Sequence, residues 1–167
     1  MWGSDASGGD AASGKRSPRD DAIRLLAQRE YSRAELATRL NARGHEAADI
    51  AACLDALAEL DLQSDTRFAE SFVRSRVLRG QGPLKIRGEL ARRGIDNEQV
   101  RATMATASLE VDWFALAAET LSRRFSDPGD TPRERARRER FLAGRGFDFE
   151  QVRHAVEHAW DSAPEPP

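Results

Sequence analysis

The chain holds one cysteine, Cys53. No intrachain disulfide and no cysteine-based zinc cluster can be built from it, which fits a reducing compartment. Aromatic residues are scarce, at 7%, with one tyrosine among 167 residues. Runs of Val, Ile, Thr and Tyr that mark strands are missing. Charge interrupts every apolar stretch, so none reaches the roughly 18 residues of a membrane span and none resembles the apolar core of a signal segment. The expected location is the cytoplasm, with no membrane partner.

What the chain has in quantity is charge and helix formers. Charged residues make up 32% and hydrophobic residues 40%, enough for a packed core under a heavily charged surface. Ala, Leu, Arg and Glu dominate the middle. The net charge of −2 argues against a nucleic-acid coat held by bulk charge. It is unevenly spread, however. From Asp20 to Asp65 five arginines face ten acids, a balance of −5; from Arg67 to Arg101 nine basic residues face four acids, a balance of +5. Such asymmetry suggests an oriented binding surface.

A pattern recurs three times. Leu40-Asn41-Ala42-Arg43-Gly44 is followed by Ile50 and Leu54. Leu90-Ala91-Arg92-Arg93-Gly94 is followed by Val100 and Met104. Leu142-Ala143-Gly144-Arg145-Gly146 is followed by Val152 and Val156. The glycines are 50 and 52 residues apart. The Leu reads as the last core contact of a helix. The Gly reads as the residue just past its end, where a left-handed conformation is needed. Asp96 with Gln99 and Asp148 with Gln151 then read as capping boxes of a following helix; Glu46 is a weaker cap in the first copy. Helix starts precede each Leu at Ser32 with Glu35, at Gly82-Pro83, and at Thr131-Pro132. Further helices are predicted upstream over Ala22–Arg29, Arg67–Leu78 and Trp113–Arg124. The unit is therefore helix, helix, tight Gly turn, helix.

These observations predict an all-α fold, an elongated and curved array of three tandem three-helix repeats whose neighbouring faces bury a shared core. The expected division is a disordered lead-in over 1–19, repeats over 20–64, 65–107 and 108–161, and a disordered tail over 162–167. Trp2, in the lead-in, is given no role.

The ordered set of segments resembles the RecX family. Glu30-Tyr31-Ser32-Arg33-Ala34-Glu35-Leu36 with Leu40 and Arg43-Gly44 is similar to its first repeat. Asp65-Thr66-Arg67-Phe68-Ala69 and Gly80-Gln81-Gly82-Pro83-Leu84-Lys85-Ile86 are similar to its second. Arg140-Phe141-Leu142-Ala143-Gly144-Arg145-Gly146-Phe147 is similar to its third. The resemblance implies a regulator, not an enzyme, that binds in the groove of RecA filaments on DNA and mostly inhibits strand exchange, ATP hydrolysis and co-protease activity. Single- or double-stranded DNA within the filament is a second expected partner, and the chain is expected to be a monomer. The sequence departs from the pattern at Arg138, which stands where Leu36 and Ile86 stand in the other copies. The expectation there is that Ala136 and Phe141 take over the packing and that the third middle helix is shifted or shortened.

Arg74, Arg79, Lys85, Arg87 and Arg92 are the candidate residues for contacting phosphate or an acidic partner surface. A solvated helix face explains them equally well. Arg133, Arg137 and Arg140 could extend the basic track, with pairing such as Arg135 to Glu139 as the plainer account. Gly44, Gly94 and Gly146 are assigned as structural turns, and the arginine before each favours the helix dipole. His154-Ala155-Val156-Glu157-His158 matches a metalloprotease pattern, but Val152 and Val156 already belong to a core face and little chain follows. No metal, cofactor or catalytic residue is therefore expected. Cys53, beside Ile50, Leu54 and Leu57 at helical spacing, reads as core. The alternative function is a helix-turn-helix-like, sequence-specific DNA-binding protein. Its reading helices begin with acids, Asp96 and Glu98 or Asp148 and Glu150, the wrong sign for a groove.

Overall fold

The computed structural model describes residues 14–161. Residues 1–13, with Trp2, and 162–167 lie outside it. Among the described residues are nine helices and no strand. The first trio is α1 (Pro18–Leu26), α2 (Arg33–Ala42) and α3 (Ala47–Glu59). The second is α4 (Asp65–Leu78), α5 (Pro83–Arg92) and α6 (Asn97–Glu110). The third is α7 (Trp113–Arg124), α8 (Pro132–Gly144) and α9 (Phe149–His158).

Side-chain caps set most of the helix starts. Ser17, Ser32, Ser64, Asp96, Asp112, Thr131 and Asp148 each accept from a backbone N–H of the first turn, satisfying donors that a helix leaves free. Reciprocal capping boxes form at Ser32, Thr131 and Asp148. At Asp96 only half forms, because the Gln99 side chain is engaged with Thr66 and Thr103 instead. Two starts precede the sequence reading. The expected Ala22 start of α1 moves to Pro18, capped by Ser17 with proline at the first turn, so the helix takes in residues assigned to the lead-in. The start of α4 moves from Arg67 to Asp65 behind the Ser64 cap.

The three glycine turns share one hydrogen-bond pattern. The N–H of His45, Ile95 and Phe147 donates to the carbonyl of Leu40, Leu90 and Leu142; the N–H of Gly44, Gly94 and Gly146 donates to Asn41, Ala91 and Ala143. These are Schellman closures, and the glycine φ angles of 84°, 85° and 95° are the left-handed values that such closures require.

The shared core does not form. Each repeat has its own: Ala22, Leu25, Tyr31, Leu36, Leu40, Ile50, Leu54 and Leu57 in the first; Phe68, Phe72, Val73, Ile86, Leu90, Ile95, Val100 and Met104 in the second; Ala117, Leu121, Leu142, Phe147, Val152, Ala155 and Val156 in the third. The substantial helix–helix packing lies within repeats. The one apolar crossing is Trp113, which opens α7 but packs in the second core, with Leu116 touching both the second and third. Phe114, beside it, is exposed.

The third middle helix is neither shifted nor shortened. α8 has 13 residues against 10 in α2 and α5, and Arg138 itself occupies the inward position at 7% exposure. Its guanidinium lies 4.5 Å from the Phe125 ring centroid. It donates to the Asp127 carbonyl at 2.8 Å, the Asp127 carboxylate at 3.0 Å and the Glu134 carbonyl at 3.1 Å. A buried arginine is tolerable because its stem packs and its head makes three hydrogen bonds.

A further polar tie holds α1. The buried Asp21 carboxylate accepts from Arg43 at 2.8 Å and bonds the His45 ring at 2.8 Å. The His45 bond and then Arg43 hold its pKa below the ordinary 3.8 against the opposing effect of burial. A depressed carboxylate pKa stabilises the fold above the unfolded value and is lost as pH falls through the folded one. Acidification below about pH 4 should therefore release α1 from the α2–α3 turn before the second core melts. Amide exchange of Leu25 and Leu26, compared with Leu90 across that range, checks this. Equal protection at both ends of the titration contradicts it.

Candidate partner-binding surface

The repeats meet at two seams, both made by the same parts. The glycine turn of one repeat presses on the first turn of the middle helix of the repeat before it. At the first seam, Gly94 faces Ala34 so closely that an added Cβ would lie 2.3 Å from the Ala34 Cβ. Ser32 Oγ donates to the Arg93 carbonyl at 2.7 Å, and Arg93 pairs with Glu35. At the second seam, Gly146 faces Lys85, and Gly82 faces the Gly146–Phe147 peptide. Gly82 N–H donates to the Arg145 carbonyl at 2.8 Å, Leu84 N–H to the Gly146 carbonyl at 2.9 Å, and Arg145 Nη1 to the Arg79 carbonyl at 3.4 Å. The recurring Arg-Gly pairs thus do more than close helices: Arg93 and Arg145 bind across seams, while Arg43 is tied to Asp21 within its own repeat.

The basic candidates are spread over this scaffold and do not converge on one point. Arg74 is exposed on α4, at the rim of an apolar cleft of about 600 Å³ between α4 and α6 that includes Val73, Val77 and Val111. Arg79 caps α4 at the second seam. Lys85 is half-buried on α5, with its backbone against Gly146. Arg87 is exposed on α5, and Arg92, exposed at the end of α5, borders the first seam. Arg133, Arg137 and Arg140 are exposed on α8, with Arg137 5.6 Å from the Phe125 ring centroid. Arg135 pairs with Glu139 at 3.4 Å.

Sequence reading missed four arginines that matter to the seams. Arg29 and Arg39 join Arg92 and Arg93 around a cleft of about 290 Å³ at the first seam. Arg123 and Arg124 join Arg79 and Arg145 around one of about 270 Å³ at the second. A signal was present for part of this: Arg29 and Arg79 are 50 residues apart, as are Gly44 and Gly94.

His154 stands edge-on to Phe114 at 5.3 Å, and His158 is bonded to Asp161 at 2.7 Å. Among the described residues no group of three or more His, Cys, Asp or Glu could hold a metal ion. Cys53 is half-buried against the first core, and burial raises its thiol pKa, which makes a nucleophilic thiolate scarcer. No described helix is long and apolar enough to cross a membrane.

Comparison with known proteins follows the same three-part division. Models of the first, second and third three-helix domains of RecX match residues 19–57, 64–104 and 110–156. A regulatory protein RecX from Chromohalobacter salexigens is 63% identical over 145 residues, covering 87% of this chain and 94% of that one. One from Halorhodospira halophila is 46% identical over 149 residues, covering 88% and 91%. The crystal structure of RecX from Lactobacillus salivarius matches with a TM-score of 0.69 at 23% identity, over 85% of this chain and 94% of that one.

Proposed function

The chain belongs to the RecX family of regulatory proteins, and on that premise we propose that it binds RecA filaments on DNA and lowers their ATPase, strand-exchange and co-protease activities. The observation that carries this reading is the match of all three repeats, in order, to the RecX domains. The trios α1–α3, α4–α6 and α7–α9 act as the units, with α1 starting at Pro18 and α6 running to Glu110, past the expected divisions at 20 and 107. Private cores joined by thin polar seams suit a partner that repeats along a line, because each unit can seat on its own without unfolding its neighbours. Arg74, Arg87 and Arg92 supply exposed positive charge for filament or DNA contacts, and Arg133, Arg137 and Arg140 continue it on the third repeat. The protein works as a monomer in the cytoplasm.

The test is DNA-dependent ATP hydrolysis by a cognate RecA. Added protein should lower the rate at amounts comparable to RecA or below. The combined change Arg74→Glu, Arg87→Glu and Arg92→Glu should raise the amount needed about tenfold or more, since each reversal replaces an attraction with a repulsion. All three positions are exposed, so the variant should fold. Undiminished hydrolysis in the presence of folded wild-type protein removes the proposal.

A further inference from the structure

At one shared position the two seams carry opposite charge. At the first, the Glu35 carboxylate is held between two arginines: Arg29 Nη1 lies 3.3 Å from one oxygen and Arg93 Nη1 lies 2.5 Å from the other. The repeat register places Arg79 at the position of Arg29, and Arg145 at the position of Arg93, counted from the glycine turns. The flanking cations are thus kept at the second seam. The position of Glu35, however, is taken by Lys85. The anion that closes the first seam from within has been replaced by a cation.

The cleft at the second seam keeps Arg79 and Arg145, while Lys85 does not line it. Four arginines, Arg79, Arg123, Arg124 and Arg145, border it together with Thr120 and the Phe141 ring, and no carboxylate lines it. Arg123 is paired outward with Glu119. The Arg145 guanidinium rests over Phe141 and reaches only the Arg79 carbonyl, at 3.4 Å. Arg79 comes from the end of α4, Arg123 and Arg124 from the end of α7, and Arg145 from the α8–α9 turn. A ligand held by all of them bridges the second and third repeats.

We propose that this cleft binds a phosphate group, which bridges Arg79 and Arg145 as Glu35 bridges Arg29 and Arg93 at the first seam, and clamps the third repeat to the second. Guanidinium forks match phosphate oxygens in pairs, whether on a free pyrophosphate or on the singly charged phosphodiesters of a strand. A cleft of about 270 Å³ is at the lower edge of sites that enclose a whole small molecule, but it admits a phosphate or pyrophosphate. The group could therefore come from a free polyphosphate or from the backbone of a nucleic-acid strand passing the seam.

Calorimetric titration of the full chain tests this with three probes: inorganic pyrophosphate, a single-stranded oligonucleotide, and polyglutamate of similar charge. Arg79→Gln with Arg124→Gln, both at exposed positions, should weaken phosphate binding about tenfold or more. Arg101→Gln, exposed on α6 away from the seam, should leave it unchanged. Lys85→Glu is the decisive variant. It restores the internal anion of the first seam, so it should abolish pyrophosphate-dependent thermal stabilisation while raising the melting temperature of the unliganded protein. Pyrophosphate binding assigns the free source, and oligonucleotide binding without it assigns the strand; either supports the proposal. Wild-type binding in Lys85→Glu, equal weakening by Arg101→Gln, or equal affinity for polyglutamate overturns it.

Discussion

Replacing Gly146 with alanine is expected to cost about 3–4 kcal/mol of stability, roughly twice the loss from the same change at Gly44. Both glycines sit in the left-handed region, at 95° and 84°, so both substitutions incur a backbone penalty of about 1–2 kcal/mol. At Gly44 little more follows, because the nearest atom to an added Cβ is the end of the Lys15 side chain at 3.6 Å. At Gly146 the new carbon would lie 2.2 Å from the Lys85 Cβ and 2.6 Å from its backbone nitrogen. The seam must open to admit it, which loosens the Gly82 and Leu84 hydrogen bonds to the Arg145 and Gly146 carbonyls.

Gly94 separates the two causes. Its added Cβ would meet chiefly the Ala34 Cβ, at 2.3 Å, with the Ala34 Cα at 3.8 Å. Changing Ala34 to glycine alongside Gly94→Ala should therefore recover the contact part of the loss, leaving the backbone part. No change of the Lys85 side chain can do the same for Gly146→Ala, because there the obstacle includes backbone. Urea unfolding of the three alanine variants and the paired variant measures this order. Equal losses at Gly44 and Gly146 remove the claim that the seam needs a bare turn.

The same comparison shows what was legible in the sequence. The turns could be read because each is local: Leu, Arg and Gly lie within five positions, and the cap that follows is two residues on. The seams could not be read that way, since Ser32 meets Arg93 and Gly82 meets Arg145 across some sixty residues. The repeat pattern says that units are alike, not which face of one meets which face of the next. That gap produced the expectation of a shared core, whereas polar backbone contacts and bare glycines join repeats with separate cores. The basic middle stretch was legible as composition only. Helix winding sends Arg74 to the α4–α6 cleft, Arg79 to one seam and Arg92 to the other, while Arg29, Arg123 and Arg124 enter the seams from outside that stretch.

Arg138 shows how a departure from the repeat can be informative. Arg138→Ala should cost about 3 kcal/mol, because it removes the packed stem, the stacking on Phe125 and three hydrogen bonds to the 127–134 region. Little of that loss comes from a stranded charge, since Asp127 is mostly exposed. Arg138→Leu should behave differently. It places an aliphatic side chain where Leu36 and Ile86 are fully buried, so the core stays filled and overall stability should fall by only about 1 kcal/mol. The loop should nevertheless come loose. Arg138 holds Asp127, Asp127 accepts from the Gly129 N–H at 2.9 Å, and Gly129, with φ at 81°, packs on the Glu134 Cβ. Glu134 lies in the first turn of α8, the part of a middle helix that receives the next repeat's glycine turn at both seams. Counted from the glycine turns, the residues matching Ala34 and Lys85 are Ala136 and Arg137, so the Gly129 contact at Glu134 ties the loop to the start of α8. Arg138→Leu should release the loop, giving protease cleavage between Ser126 and Asp130. If the variant stays as resistant as the wild type, Arg138 only fills the core.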